Sequence, residues 1–111
     1  MVKYFFSLFL GALVLTTTAQ EYTSSSIFAH NDYIHPIPFL SSYSAEVGFI
    51  EADVFLQQNN LMVAHTLSEI EQDRTLEELY LKPLQKKIIY NKGFAYANHE
   101  KSLTLMIDLK T

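Results

Sequence analysis

Residues 49–56 read Phe-Ile-Glu-Ala-Asp-Val-Phe-Leu, an apolar, partly β-branched and aromatic run interrupted by two carboxylates. A near-continuous apolar stretch of this length predicts a strand of a parallel sheet, covered on both faces. Side chains at i and i+2 of a strand share a face, so Glu51 and Asp53 converge on one side. Two like charges in a buried strand are costly unless a cation or protons neutralise them. The same eight residues therefore predict an element of the fold and point to a site on it.

Working outward, Ile27-Phe28-Ala29 is a short apolar run ending at His30, and Asn31-Asp32-Tyr33 with Pro36 and Pro38 makes a loop. Phe39, Leu40, Tyr43 and Val47 recur at helical spacing, and Gly48 follows as a helix stop. Downstream, Gln57 to Asn60 is a turn, and Leu61 to Ala64 is a short strand ending at His65. Leu76 to Leu84 repeats a helical pattern, with Thr75 as N-cap and Glu78 three residues on. Residues 85–101 carry no clear period, and Leu103 to Leu109 (LTLMIDL) is a further strong strand. Strands alternating with helices predict βα units, a parallel sheet and the α/β class.

The last strand repeats the anomaly of the first. Asp108 interrupts its apolar run, and Lys110 lies on the same face. Three carboxylates on neighbouring strands make an oxygen cage suited to a divalent cation, Mg²⁺ or Ca²⁺. His30 and His65 each close a strand, where imidazoles can serve as general acid and base. His35 and His99 read as loop residues, Tyr33 and Phe39 as loop packing, and Met62 and Met106 as core. The charged stretch from Glu69 to Arg74 reads as a solvated loop from which Arg74 can reach a phosphate.

The chain has 111 residues, enough for one small domain. Its net charge of -4, without basic runs, argues against a nucleic-acid or anionic-membrane surface. Lys3, the apolar run Tyr4 to Leu15 and the small residues Thr17-Thr18-Ala19 follow the order of a cleavable signal peptide over residues 1–19. That run is too short to span a bilayer, which takes about 20 residues. The expectation is an exported chain, periplasmic or secreted, with a mature domain over residues 20–111. There is no cysteine, so neither a disulfide nor a cysteine-linked lipid anchor is available.

Four segments, FAHNDY (28–33), IEADVFL (50–56), LMVAH (61–65) and MIDLK (106–110), together resemble the phospholipase-C-like phosphodiesterase superfamily. That superfamily includes the glycerophosphodiester phosphodiesterases. The likeness is greatest to a branch with an H-N-D-Y start and an R-T-L-x-x-L-Y-L-x-P-L segment, which here reads RTLEELYLKPL over residues 74–84.

The resemblance implies a TIM-type (β/α) barrel, of which this chain supplies about three strands. A barrel takes about 250 residues, so the chain reads as an N-terminal portion that lacks the later barrel strands. The resemblance further implies that His30 and His65 are the acid–base pair, that Glu51, Asp53 and Asp108 bind the metal, and that Lys110 lies near the phosphate. Asn31 stands where glycerophosphodiesterases usually carry a phosphate-binding arginine, which shifts phosphate recognition toward the metal, Lys110 and Arg74. The implied function is metal-dependent hydrolysis, or cyclising cleavage, of a small-molecule or lipid-derived phosphodiester. The alternative is a catalytically inert fragment or a secreted metal-binding module.

Overall fold

β2, Phe49–Gln57, is the strand around which the domain is built. In the computed structural model, which describes residues 17–111, one edge of β2 is paired in parallel along its length by β4, Thr104–Lys110. The other edge is shared by β1, Phe28–Ala29, in parallel, and by β3, Asn60–Val63, antiparallel. The signal-peptide expectation concerns residues 1–19, of which 1–16 lie outside the described residues.

The β2–β3 hairpin turns through Gln58 and Asn59, both at positive φ. Asn tolerates this left-handed geometry better than most residues, which makes Asn59 a suitable turn residue. After β3 the chain makes a short turn with a capping box, Thr66 accepting from the backbone of Glu69 and Glu69 from that of Thr66.

The two faces of β2 have different fates. Ile50, Ala52 and Val54 are fully buried and pack with Val63, Leu76, Tyr80 and Phe39 in the core. Burial of each large apolar side chain there stabilises by about 1.5–3 kcal/mol. Phe49, Glu51, Asp53 and Phe55 face the other way, and this second face holds the site.

α1, Leu40–Ser44, is shorter than the 39–47 periodicity predicts. Phe39 at φ 64 breaks the helix before it, and Glu46 at φ 55 forms the turn after it. Gly48 is therefore not the helix stop that the sequence suggests. A Cβ at that position would lie 2.0 Å from the backbone oxygen of Ser25, so the glycine permits a close approach of two backbones.

The second helical segment starts as predicted, with the backbone N–H of Glu78 donating to Thr75 Oγ1 at 3.2 Å. Glu77–Leu81 coils as a wide π turn and continues as α2, Lys82–Tyr90, beyond the predicted end at Leu84. The following irregular stretch is anchored by Tyr96, whose hydroxyl donates to Val47 O at 2.6 Å and whose ring stacks on Tyr43.

Not every strand is buried. Phe28, Met106, Ile107 and Leu109 are all more than two-fifths exposed, so β1 and β4 lack the two-sided cover predicted for them, and Met106 is not a core residue. Met62 is buried, as predicted. His35 and His99 lie in irregular segments, and His99 stacks on Phe94.

Candidate metal and acid–base site

The strand register assembles the site. Asp53 and Asp108 are direct partners in the β2–β4 ladder, and Glu51 lies one side-chain step before Asp53 on the same face. Glu51, Asp53 and Asp108 each offer a carboxylate oxygen, and these oxygens lie within 4.8 Å of one another. Lys110, two residues after Asp108, places Nζ 2.7 Å from Asp108 Oδ2 and 3.7 Å from Asp53 Oδ2. Its hydrogen bond to Asp108, reinforced by the charges of Asp53 and Asp108, holds the lysine pKa above its usual value.

Each histidine reaches one of the paired carboxylates. β1 ends where it pairs with Ile50, which brings His30 beside Glu51, Nε2 to Oε2 3.2 Å. The β2–β3 hairpin brings the chain back beside Asp53, and His65 Nδ1 lies 3.4 Å from Asp53 Oδ2. Both imidazoles are more than half exposed, whereas the side chain of Asp53 is 2% exposed. Two exposed imidazoles, each against a less exposed carboxylate, are an arrangement suited to proton exchange with something bound at the surface.

Tyr33 belongs to the same cluster, although its position in a proline-containing loop suggests only packing. Its hydroxyl donates to Asp53 Oδ2 at 2.6 Å and lies 3.1 Å from His65 Nδ1 and 3.2 Å from Asn31 Oδ1. Burial, and then the bond to Asp53, push the tyrosine hydroxyl far above its usual pKa, so it stays protonated. The sequence signal that could have found it is its place in the H-N-D-Y run, three residues after His30.

The loop bearing Tyr33 is held by a second buried carboxylate. Asp32, fully buried, accepts from the backbone N–H of Phe39 at 2.6 Å, from the Tyr80 hydroxyl at 2.7 Å and from the Ser42 hydroxyl. Asn31 adopts the left-handed conformation, φ 50, and its backbone N–H donates to Glu51 Oε2 at 3.2 Å. Arg74 Nη2 donates to the carbonyl of Tyr33 at 2.8 Å. Arg74 also lines a cavity of about 300 Å³ with Tyr33, Ile34, Val63 and His65. The structure thus brings His30, Asn31, Glu51, Asp53, His65, Asp108 and Lys110 together, and places Arg74 behind Tyr33 at the rim.

The donor set suits a hard divalent cation, being carboxylate oxygen throughout. Three carboxylates against one ammonium leave two negative charges uncompensated when the histidines are neutral. Among the described residues no helix is long and apolar enough to cross a membrane.

Comparison with known proteins gives the class first: residues 16–111 match a domain of a family related to the phospholipase-C-like phosphodiesterases. That domain is the AIM6-like phosphodiesterase domain, and the chain belongs to this family. It is 39% identical over 64 residues to the altered inheritance of mitochondria protein 6 homolog of Arthroderma benhamiae, covering 52% of this chain and 20% of that protein. It is 32% identical over 97 residues to altered inheritance of mitochondria protein 6 of Eremothecium gossypii, covering 77% and 25%. The protein of the same name from Lachancea thermotolerans is 28% identical over 114 residues, covering 91% and 27%. The chain thus spans about a quarter of the length of the curated relatives it matches. No solved structure matches it.

Proposed function

We propose that this chain carries the metal-binding and acid–base residues of a phosphodiesterase that cleaves small-molecule or lipid-derived phosphodiesters, glycerophosphodiesters being the default substrate. The single observation that carries the reading is the convergence of Glu51, Asp53 and Asp108 within 4.8 Å, with a histidine against each of the first two. A bound Mg²⁺ or Ca²⁺ would supply Lewis-acid polarisation and charge neutralisation at the phosphate.

The chain's own groups account for the rest. Lys110 is placed to offset charge on a phosphate oxygen beside Asp108. His30 lies against Glu51 and His65 against Asp53, so one can take the proton of an attacking hydroxyl and the other return one to the departing alcohol. The family match, the parallel β1–β2–β4 pairing and the position of the site on one sheet face support a place in a (β/α) barrel. Export through the N-terminal segment belongs to the same proposal.

The test is hydrolysis of a chromogenic phosphodiester and of glycerophosphocholine, with EDTA and with added Mg²⁺ or Ca²⁺. It is run on this chain and on a protein of the relatives' full length. Turnover that EDTA abolishes and either cation restores is the expected result. Folded protein of both lengths with no turnover under any of these conditions overturns the proposal.

A further inference from the structure

We propose that Tyr33 is a positioning residue for His65: its hydroxyl holds the imidazole as the Nδ1–H tautomer and leaves Nε2 as the nitrogen that exchanges a proton with a bound phosphodiester. The assignment of the tautomer stands on geometry alone, and its use in proton exchange rests on the function proposed above.

A tyrosine hydroxyl has one proton to give and lone pairs to receive with, while a carboxylate only accepts. The 2.6 Å separation from Asp53 Oδ2 is the length of a charge-assisted O–H···O⁻ bond, so the tyrosine proton goes to Asp53. Asn31 Oδ1, at 3.2 Å, is the longest of the hydroxyl's three contacts and competes least for it. The tyrosine oxygen then meets His65 Nδ1 at 3.1 Å as an acceptor, which requires a proton on Nδ1. The direct approach of the same nitrogen to Asp53 Oδ2, 3.4 Å, requires the same proton. In a neutral imidazole the other nitrogen then carries a lone pair.

The hydroxyl is itself held in place. The carbonyl of Tyr33 accepts from Arg74, and Asp32 next to it is tied to Phe39, Ser42 and Tyr80. A side chain whose backbone is fixed from two directions can fix a more exposed ring that it touches.

The experiment is long-range ¹H–¹⁵N correlation NMR of the imidazoles in the full 111-residue chain, without substrate or cation, at a pH where the histidines are neutral. His65→Ala assigns the His65 signals. The expected spectrum shows His65 protonated at Nδ1 and bare at Nε2. In Tyr33→Phe, which keeps the ring, Asp53 Oδ2 at 3.4 Å is the acceptor left near Nδ1, and the Nε2–H tautomer is expected to gain population relative to the wild type. An Nε2–H wild type, or the same tautomer populations in Tyr33→Phe as in the wild type, overturns the proposal. The wild-type spectrum decides the tautomer even if the variant fails to fold. Because no turnover is measured, its failure is distinct from failure of the phosphodiesterase reading.

Discussion

Asp53 and Asp108 face each other as register partners across the parallel β2–β4 ladder, with Lys110 bridging toward both. Like charges directly opposite on a sheet oppose pairing unless something neutralises them. A cation bound by both should therefore tighten the sheet.

Thermal denaturation with and without Mg²⁺ or Ca²⁺ checks this. A ligand at 100 times its dissociation constant adds about 2.7 kcal/mol, so saturating cation is expected to raise the midpoint of the unsubstituted chain by several degrees. Asp108→Asn and Asp53→Asn are expected to lose most of that rise. Equal rises in all three proteins would place any cation elsewhere.

The histidines are predicted to act on turnover rather than on metal affinity, since each contacts a carboxylate of the cluster from outside it. His30→Ala and His65→Ala should each lower turnover about 10²- to 10⁴-fold, with cation affinity by calorimetry changed far less. Turnover within a few-fold of the unsubstituted protein in either variant removes that histidine from the pair.

Asp32→Ala is predicted to be a stability variant. It strands the Tyr80 and Ser42 hydroxyls and the N–H of Phe39 in a buried space. Hydrogen bonds to charged groups contribute about 1.5–3 kcal/mol each, and unpaired buried donors add to the loss. Urea denaturation should show a loss of about 3 kcal/mol or more; a loss under 1 kcal/mol would mean that the loop is held by something other than Asp32.

Gly48→Ala tests the close backbone approach to Ser25. The added methyl meets backbone rather than a yielding side chain, so overpacking should cost about 1–3 kcal/mol. An alanine at a simple helix stop without this clash would cost less, and denaturant midpoints separate the two readings.

Alkaline pH is predicted to weaken the fold through its buried tyrosines. Burial, with the charges of Tyr43 and Glu46 adding to it, pushes the Tyr96 hydroxyl from 10.0 up to about 12. The native state thus holds this proton more tightly than the unfolded chain does. The resulting stabilisation is complete below pH 10 and is lost as pH rises toward 12, with a slope of at most about 1.4 kcal/mol per pH unit for one group. Denaturant melts from pH 9 to 12 should show the decline, and Tyr96→Phe should make it shallower. An identical slope in Tyr96→Phe would exclude this group as a contributor.

The carboxylates and strand-end histidines were legible because each is chemically out of place, Glu51, Asp53 and Asp108 in apolar runs and His30 and His65 at their ends. The register then did what an i, i+2 spacing predicts. Tyr33 was not legible in the same way: its hydroxyl meets Asp53 and His65 only after the loop folds back, and local spacing carries no trace of that contact. Gly48 misled for a related reason, since its partner Ser25 lies in an earlier segment with no pattern of its own. The continuation of α2 to Tyr90 was hidden by its lysines and by a helix face that buries little.

β2 is bonded along one edge by β4 and along the other by β1 and β3, and it carries both Glu51 and Asp53. The amides of a strand so enclosed exchange with solvent mainly when the whole domain opens, not when a loop breathes. A cation held there therefore reports the integrity of the entire sheet. The hairpin that carries two of the three carboxylates closes over a few residues, whereas Asp108 arrives only after a long loop has closed at its entropic cost. Loop-closure entropy thus predicts that the centre is completed only when β4 docks on β2.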